Sequence, residues 1–155
     1  MCHQCDYAYL LEKSSLGSTP KRLKVLEVIG NNNCPLSAHE IFETLSRTNS
    51  INRVTIYRIL DLLVEKGLVD RISSGGRSFH YGLAPNENHH PHPHFYCKHC
   101  GNMECLDPKS LYIDTALIHR TFPGLIQNVE VRFDGICKNC VRNERKIITA
   151  QESCH

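Results

Sequence analysis

Four cysteines in two matched pairs carry the clearest chemistry in the sequence. The pairs are Cys97-x-x-Cys100 and Cys137-x-x-Cys140. A turn with this spacing can place both sulfurs on one ion, and zinc accepts four thiolates at about 2.3 Å in tetrahedral geometry. A complete set of four leaves no position for water, so the pattern predicts a structural zinc site rather than a catalytic one. The competing interpretation is two unrelated pairs of reduced cysteines.

A histidine-rich segment lies directly before the first cysteine pair. Residues 89–101 read HHPHPHFYCKHCG and contain five histidines. Such a tract is compositional evidence only, so it is compatible with a metal site or with a solvated surface segment. His89 and His90 are interpreted as solvated linker residues.

Composition restricts the class of protein. The chain has 155 residues, enough to bury a core, and nine cysteines. Its first residues lack the basic and apolar regions of a signal peptide, and no apolar run is long enough to span a membrane. We therefore expect a cytoplasmic protein with no membrane partner, in which paired cysteines hold metal. Residues 20–82 carry nine Lys and Arg against six Asp and Glu, and this positive balance favours DNA as a partner.

The first half of the chain shows three helices followed by two strands. Thr19-Pro20 begins the first helix, Ser37 and Glu40 form a capping box for the second, and Gly67 ends the third. Two short strands surround the Ser-Gly-Gly turn that follows. This order predicts a winged helix-turn-helix whose third helix enters the DNA major groove. A small helical core with merely solvated basic residues is the other interpretation.

The second half predicts a smaller α/β unit. NMECL suits a strand, residues 108–122 a helix, GLIQNVEVRFDG a strand, and residues 141–150 a short helix. The predicted fold class is therefore α+β, with an N-terminal winged helix-turn-helix and a C-terminal α/β dimerisation domain that carries the four-cysteine zinc site. The predicted boundaries are an N-terminal tail at 1–17, a DNA-binding domain at 18–84, a hinge linker at 85–93 and the second domain at 94–155.

Three segments together carry a family resemblance. TIYRILDLLVEKGLV, HHPHPHFYCKHCG and GICKNC, in this order and spacing, resemble the ferric uptake regulator (Fur) superfamily of metal-dependent bacterial repressors over roughly residues 18–141. The resemblance implies a homodimer that binds a palindromic DNA operator, and it implies no enzymatic activity. A zinc-stapled protein-interaction module is the alternative from another class.

The resemblance also implies a regulatory metal site at the hinge. Carried over by position, its ligands are His80 on the wing, His92 and His94 before the first cysteine pair, and Cys105 after it. In an extended strand residues 92 and 94 point to one side. Three imidazoles and a thiolate favour Zn²⁺ over ferrous iron, which makes the zinc-sensing branch (Zur) our first choice. An iron-responsive or other metal-responsive regulator is the alternative. Cys34 is interpreted as a buried thiol, with a ligand role as the second possibility.

The same resemblance assigns residues to DNA contact. Arg53, Thr55, Tyr57 and Arg58 belong to the recognition helix, and Arg22 on the first helix is a candidate for phosphate contact. The function predicted from the sequence is metal-dependent transcriptional repression, most simply zinc-responsive control of metal uptake genes.

Overall fold

The computed structural model describes residues 5–75 and 78–152. Its first half consists of helices α1 (Tyr7–Lys13), α2 (Pro20–Gly30), α3 (Ala38–Ser46) and α4 (Arg53–Glu65), with strands β1 (Leu36–Ser37), β2 (Val69–Ser73) and β3 (Phe79–Leu83). Its second half consists of strands β4 (His94–Cys97), β5 (Met103–Cys105) and β6 (Arg132–Gly135), a 3-10 turn (Pro108–Ser110), and helices α5 (Thr115–Thr121) and α6 (Lys138–Glu152).

Local capping explains where the helices of the first half begin. The Thr19 side chain accepts a hydrogen bond from the backbone N–H of Arg22 at the start of α2. Ser37 and Glu40 form the predicted capping box of α3, and Asn52 caps α4. The three helices and the antiparallel sheet, in the order β1-β3-β2, form the predicted winged helix-turn-helix.

One apolar core lies within this first half. Its buried side chains come from α1 to α4 and from the two wing strands, with Leu26, Ile41, Leu60 and Leu63 almost completely inaccessible. Burying side chains of this size stabilises the fold by roughly 1.5–3 kcal/mol each. The apolar contacts within the DNA-binding half are therefore a source of stability that does not depend on the second half.

The second half is different, because its described side chains bury little apolar surface. Among residues 94–146, the buried apolar residues are Cys97, Met103 and Cys137. A three-stranded sheet in the order β5-β4-β6, with β4 antiparallel to β5 and parallel to β6, forms its centre. A unit with so small a core needs another source of stability, such as a metal. The α+β fold class predicted from the sequence is confirmed.

Several boundaries differ from the sequence prediction. The predicted helix at 108–122 divides into the 3-10 turn and α5, because Asp107 and Asp114 each cap a separate start. Of the segment predicted as a strand, residues 124–135, only β6 forms a strand, and it pairs with β4. The C-terminal helix begins earlier than predicted, at Lys138.

The predicted N-terminal tail contains a helix. Tyr7 and Leu11 of α1 are buried in the core, and the Tyr7 hydroxyl donates a 2.9 Å hydrogen bond to Asn31 Oδ1. Gly30 permits this contact, because a Cβ there would lie 2.4 Å from the Tyr7 ring. Residues 1–4 of the predicted tail and residues 153–155 of the predicted second domain lie outside the described residues. Within the part of the chain that the structure describes, no helix combines the length and the apolar character that crossing a bilayer requires.

Candidate metal centre

The four predicted zinc ligands lie together. Cys97 ends β4, Cys100 follows in the next turn, Cys137 directly precedes α6, and Cys140 lies in the first turn of α6. All four sulfurs lie within 4.8 Å of one another, and the Cys97–Cys140 and Cys100–Cys137 pairs are each separated by 3.8 Å. Bonds of about 2.3 Å in tetrahedral geometry separate ligand sulfurs by about 3.8 Å, so the set fits zinc without rearrangement.

Backbone N–H groups stabilise a thiolate in this cluster, and a thiolate is the form that binds a cation. The backbone N–H of Cys137 donates to Cys97 Sγ at 3.3 Å. Donors at Cys100 and Cys137 lower the pKa of Cys97 to about 6, so its thiolate form is favoured at neutral pH. The pKa of Cys140 is raised to about 12 by its hydrogen bond with Cys137 and by burial. Filling the site therefore releases protons, which makes its metal affinity rise with pH.

A second cluster lies at the hinge between the two halves. The ligand atoms of His92, His94 and Cys105 lie within 4.8 Å of one another. His94 of β4 faces Cys105 of β5 in the antiparallel register, and the rings of His92 and His94 are 4.7 Å apart. His92 Nδ1 lies 2.9 Å from the carbonyl oxygen of His90, to which it donates, and His92 Nε2 is buried without a hydrogen-bond partner. In metal-binding histidines, one ring nitrogen donates to an oxygen while the other binds the metal, and the His92 ring has the first of these contacts.

The structure does not bring His80 into this hinge cluster. His80 is buried on β3, and its ring packs edge-on against Tyr96 at a centroid distance of 6.1 Å. Its Nδ1 has no hydrogen-bond partner. Burial lowers the pKa of the imidazole, so His80 is neutral at pH 7. Three of the four ligands predicted from the resemblance therefore lie together: His92, His94 and Cys105.

Cys34 lies where a fourth ligand could come from. It precedes β1 in the DNA-binding half and lines an interdomain cavity of about 750 Å³ together with His92, His94 and Cys105. Burial is the main cause that raises the pKa of the Cys34 thiol. Desolvation and the neighbouring Cys34 raise the pKa of Cys105 to about 11. The sequence signal for Cys34 was its position, which is close to where some members of the resembling family place a ligand; a single cysteine has no spacing to a partner.

The predicted DNA-contacting residues lie mostly on one exposed surface. Arg53, Tyr57 and Arg58 are exposed on α4, whereas Thr55 is half-buried near the Asn52 cap. The Arg53 guanidinium stacks over the Phe42 ring at 4.6 Å, which restricts its orientation. On α2, Arg22 donates to the carbonyl of Gly17.

Comparison with known proteins identifies the family of the chain. The sequence profile described as "Ferric uptake regulator family" matches residues 13–120. The chain belongs to this family. It is 30% identical over 132 residues to the ferric uptake regulation protein of Bacillus subtilis, which covers 84% of this chain and 89% of that protein. It is also 29% identical over 129 residues to the zinc uptake regulation protein of Escherichia coli, covering 81% of this chain and 74% of that one.

A solved structure supports the same assignment. The ferric uptake regulator of Vibrio cholerae superposes with a TM-score of 0.69 at 25% identity, covering 85% of this chain and all of that one. Members of the ferric uptake regulator family are DNA-binding, metal-responsive transcription regulators rather than enzymes, and this chain is one of them. Its relatives include regulators named for iron and regulators named for zinc, so these similarities do not identify the regulatory metal.

Three imidazoles removed at least partly from solvent predict acid sensitivity of the metal-free form: His80 is buried, and His89 and His94 are half-buried. His89 is therefore not the solvated linker residue expected from the sequence, because its ring packs against His92. Burial lowers the pKa of His80, His89 and His94 in the folded protein, that of His94 to about 4. The unfolded chain takes up these protons near pH 6.5, so stability is fully present above that pH and is lost as the pH falls from about 6.5 to about 4. Urea unfolding at about pH 7.5 and about pH 5 measures the loss.

His94→Gln should reduce this pH dependence, whereas the exposed His39→Gln control should retain it. Equal stability of the wild-type protein at both pH values would contradict the burial of the imidazoles.

Proposed function

We propose that this protein is a zinc-responsive repressor that binds a palindromic operator upstream of metal uptake genes when its hinge cluster holds a cation. One observation carries the proposal: a thiol of the DNA-binding half, Cys34, lines the same cavity as the hinge cluster. The cluster itself consists of His92 from the hinge segment and of His94 and Cys105 from the half with the four-cysteine cluster.

The domain assignment follows from the same division. We assign residues 18–84, extended by α1, to DNA binding, residues 85–93 to the hinge, and residues 94–155 to dimerisation and metal binding. Asn86 lies 3.9 Å from Cys5, and Lys13 pairs with Glu87 at 3.9 Å, so α1 and its flanks contact the hinge as well as the core.

The two clusters have different tasks in this proposal. Cys97, Cys100, Cys137 and Cys140 hold a structural zinc, which stabilises the half of the chain that lacks a large apolar core. His92, His94, Cys105 and Cys34 hold the regulatory ion, which supplies a crosslink between the halves. His94 contributes a neutral imidazole at pH 7, because its pKa is about 4.

The donor chemistry favours zinc over iron. Two imidazoles with one or two thiols form a soft tetrahedral set, whereas ferrous iron in oxygen-rich sites prefers carboxylates and more ligands. His80, whose ring stacks against Tyr96, is the alternative to Cys34 as the fourth ligand.

Exposed apolar residues of the second half supply a surface for a homodimer. Tyr112 is 86% exposed and Leu125 83% exposed, an unusual position for large apolar side chains. Further exposed apolar side chains of the same half are Leu117, Ile118, Phe122, Val129 and Phe133. An apolar surface of this kind is typical of an obligate interface between copies.

DNA recognition is assigned to α4 and its surroundings. Arg53, Tyr57 and Arg58 are exposed and available to base edges or phosphates, with Thr55 at the first turn and Arg22 positioned for the DNA backbone. A dimer presents two such helices, which matches an inverted repeat. Operator binding places the protein with the chromosome in the cytoplasm.

A metal panel tests the proposal. The protein is used to select duplexes from a randomised pool, and the affinity of the selected duplex is measured at buffered free Zn²⁺, Fe²⁺, Mn²⁺ and Ni²⁺. We expect zinc to raise the affinity for the selected duplex by at least roughly 100-fold, an effect of about 2.7 kcal/mol. Of the four ions, zinc should produce this effect at the lowest free concentration. Selection or affinity that is independent of every ion contradicts a metal-controlled repressor, and a stronger response to iron contradicts the zinc assignment alone.

A further inference from the structure

One face of the β4–β6 pair is directed at the DNA-binding half. In the parallel ladder, His94 is paired with Arg132 and Tyr96 with Asp134. Paired residues of a sheet lie on the same face, and residues two apart along a strand share that face. Tyr96 packs against His80 of the wing, which shows that this face looks towards the first half.

Arg132 reaches from this face to the wing. Its Nη1 donates to the carbonyl oxygen of Ser73 and, at 3.1 Å, to the Ser73 hydroxyl. Ser73 is the last residue of β2, directly before the turn of the wing. This contact joins two residues 59 positions apart, one from each half of the chain.

Asp134 fixes the guanidinium for this contact. It accepts hydrogen bonds from Arg132 Nε at 2.6 Å and from Nη2 at 3.1 Å, a two-point pairing. The hydrogen bonds from Arg132 hold the pKa of the Asp134 carboxyl below its usual range. The Arg132 side chain is only 20% exposed, so it is a restrained group rather than a mobile surface cation.

We infer that Arg132 is the positioning residue that couples the hinge cluster to the wing. The inference rests on the proposed function, because it assumes that occupancy of the hinge cluster raises the affinity for DNA. The backbone connects the two sites directly: His94 N–H donates to the Val131 carbonyl at 3.0 Å, one residue before Arg132.

The coupling follows from which parts the ligands immobilise. When Cys34 and the ligands on β4 and β5 are held together, β4 has one position relative to the first half. β6 follows β4 through the ladder, and Arg132 then sets the position of Ser73 at the end of β2. Without Arg132, the ligands still fix the hinge, but Ser73 loses this contact with the second half.

The coupling is tested with Arg132→Gln, Arg132→Lys and Ser73→Ala in the full chain. The readout is the ratio of DNA affinities at saturating free zinc and at zinc buffered below occupancy of the hinge. We expect Arg132→Gln to reduce this ratio at least roughly tenfold, since hydrogen bonds from charged donors are the strong class. Arg132→Lys should restore part of the ratio, and Ser73→Ala should reduce it less. Arg120→Gln, an exposed arginine of α5, is the matched control and should leave it unchanged.

A spectroscopic readout separates the coupling from mere stability. The chain contains no tryptophan, so Phe79→Trp, at the wing position paired with Ser73, introduces a single reporter. Zinc should shift the tryptophan emission of Phe79→Trp, and this shift should disappear when Arg132→Gln is added while both zinc ions remain bound.

Each outcome decides one of the two claims. An unchanged affinity ratio and emission shift in Arg132→Gln overturns the coupling and leaves the repressor intact. A zinc-dependent emission shift that requires Arg132, in a protein whose DNA affinity ignores zinc, supports the coupling and overturns the proposed function. If Arg132→Gln does not fold, Arg132→Lys decides, because an ammonium cannot make the two-point pairing with Asp134 and the contacts with Ser73 together. A ratio and an emission shift equal to those of the wild type in that variant also overturn the coupling.

Discussion

Replacing Cys137 with serine is expected to unfold the second half of the protein while the winged helix remains folded. The sulfur of Cys97 would lose a partner in the zinc cluster, and the buried apolar residues among residues 94–146 are only Cys97, Met103 and Cys137. Structural zinc contributes roughly 10–16 kcal/mol of binding free energy in small domains, more than such a core supplies. We expect bound zinc to fall by at least one ion per chain, dimers to dissociate, and amide resonances of residues 94–146 to lose dispersion.

The matched control is Cys105→Ser, the same substitution at the hinge. It should lose one zinc ion but keep the dispersed resonances of the second half, because the four-cysteine cluster is intact. A Cys137→Ser protein that stays dimeric, with the second half folded, would contradict a structural role for the cluster.

Substitution of Cys34 is expected to weaken zinc binding at the hinge by roughly 100-fold or more, a loss of about 2.7 kcal/mol. Cys34→Ser removes the donor that comes from the DNA-binding half, although the serine keeps nearly the same volume next to Cys105. His92→Ala, which removes an imidazole with an unpartnered buried nitrogen, should weaken binding to a similar degree. Competition with a zinc chelator of known affinity, after the four-cysteine site is filled, measures both constants.

His80→Gln is the informative comparison. Its ring lies against Tyr96, outside the cluster of His92, His94 and Cys105, so this variant should keep the zinc affinity of the hinge within about threefold. A large loss in His80→Gln together with a normal affinity in Cys34→Ser would show that the wing, rather than the segment before β1, supplies the fourth ligand.

The sequence predicted those features that depend on local spacing. Capping residues located the starts of α2 and α3, because their side chains bond to backbone N–H groups two or three positions away. The Cys-x-x-Cys pairs predicted the four-sulfur cluster, because each pair is held by one turn. His92 and His94 were predicted to act together, and both belong to the hinge cluster, although β4 begins only at His94.

The features that sequence could not predict depend on packing between distant segments. Tyr7 is buried because its ring packs against Gly30 at the end of α2 and its hydroxyl donates to Asn31, the residue that follows. No periodicity in seven helical residues reveals this complementarity. Cys34 meets Cys105 only through the orientation of the two halves. His80 occupies a stacking position instead of the predicted site, because alternation along β3 says which face a residue has but not which neighbour it meets. Arg132 and Ser73 carried no motif at all.

The most direct measurement is an anomalous diffraction map, collected at the zinc absorption edge, of the zinc-loaded protein bound to its selected duplex. The account predicts two peaks per chain. One lies among Cys97, Cys100, Cys137 and Cys140, and the other lies at about 2.0–2.3 Å from His92, His94, Cys105 and Cys34. A second peak that is absent, or that is bound only by residues of the second half, would contradict the claim that metal closes the hinge of this repressor.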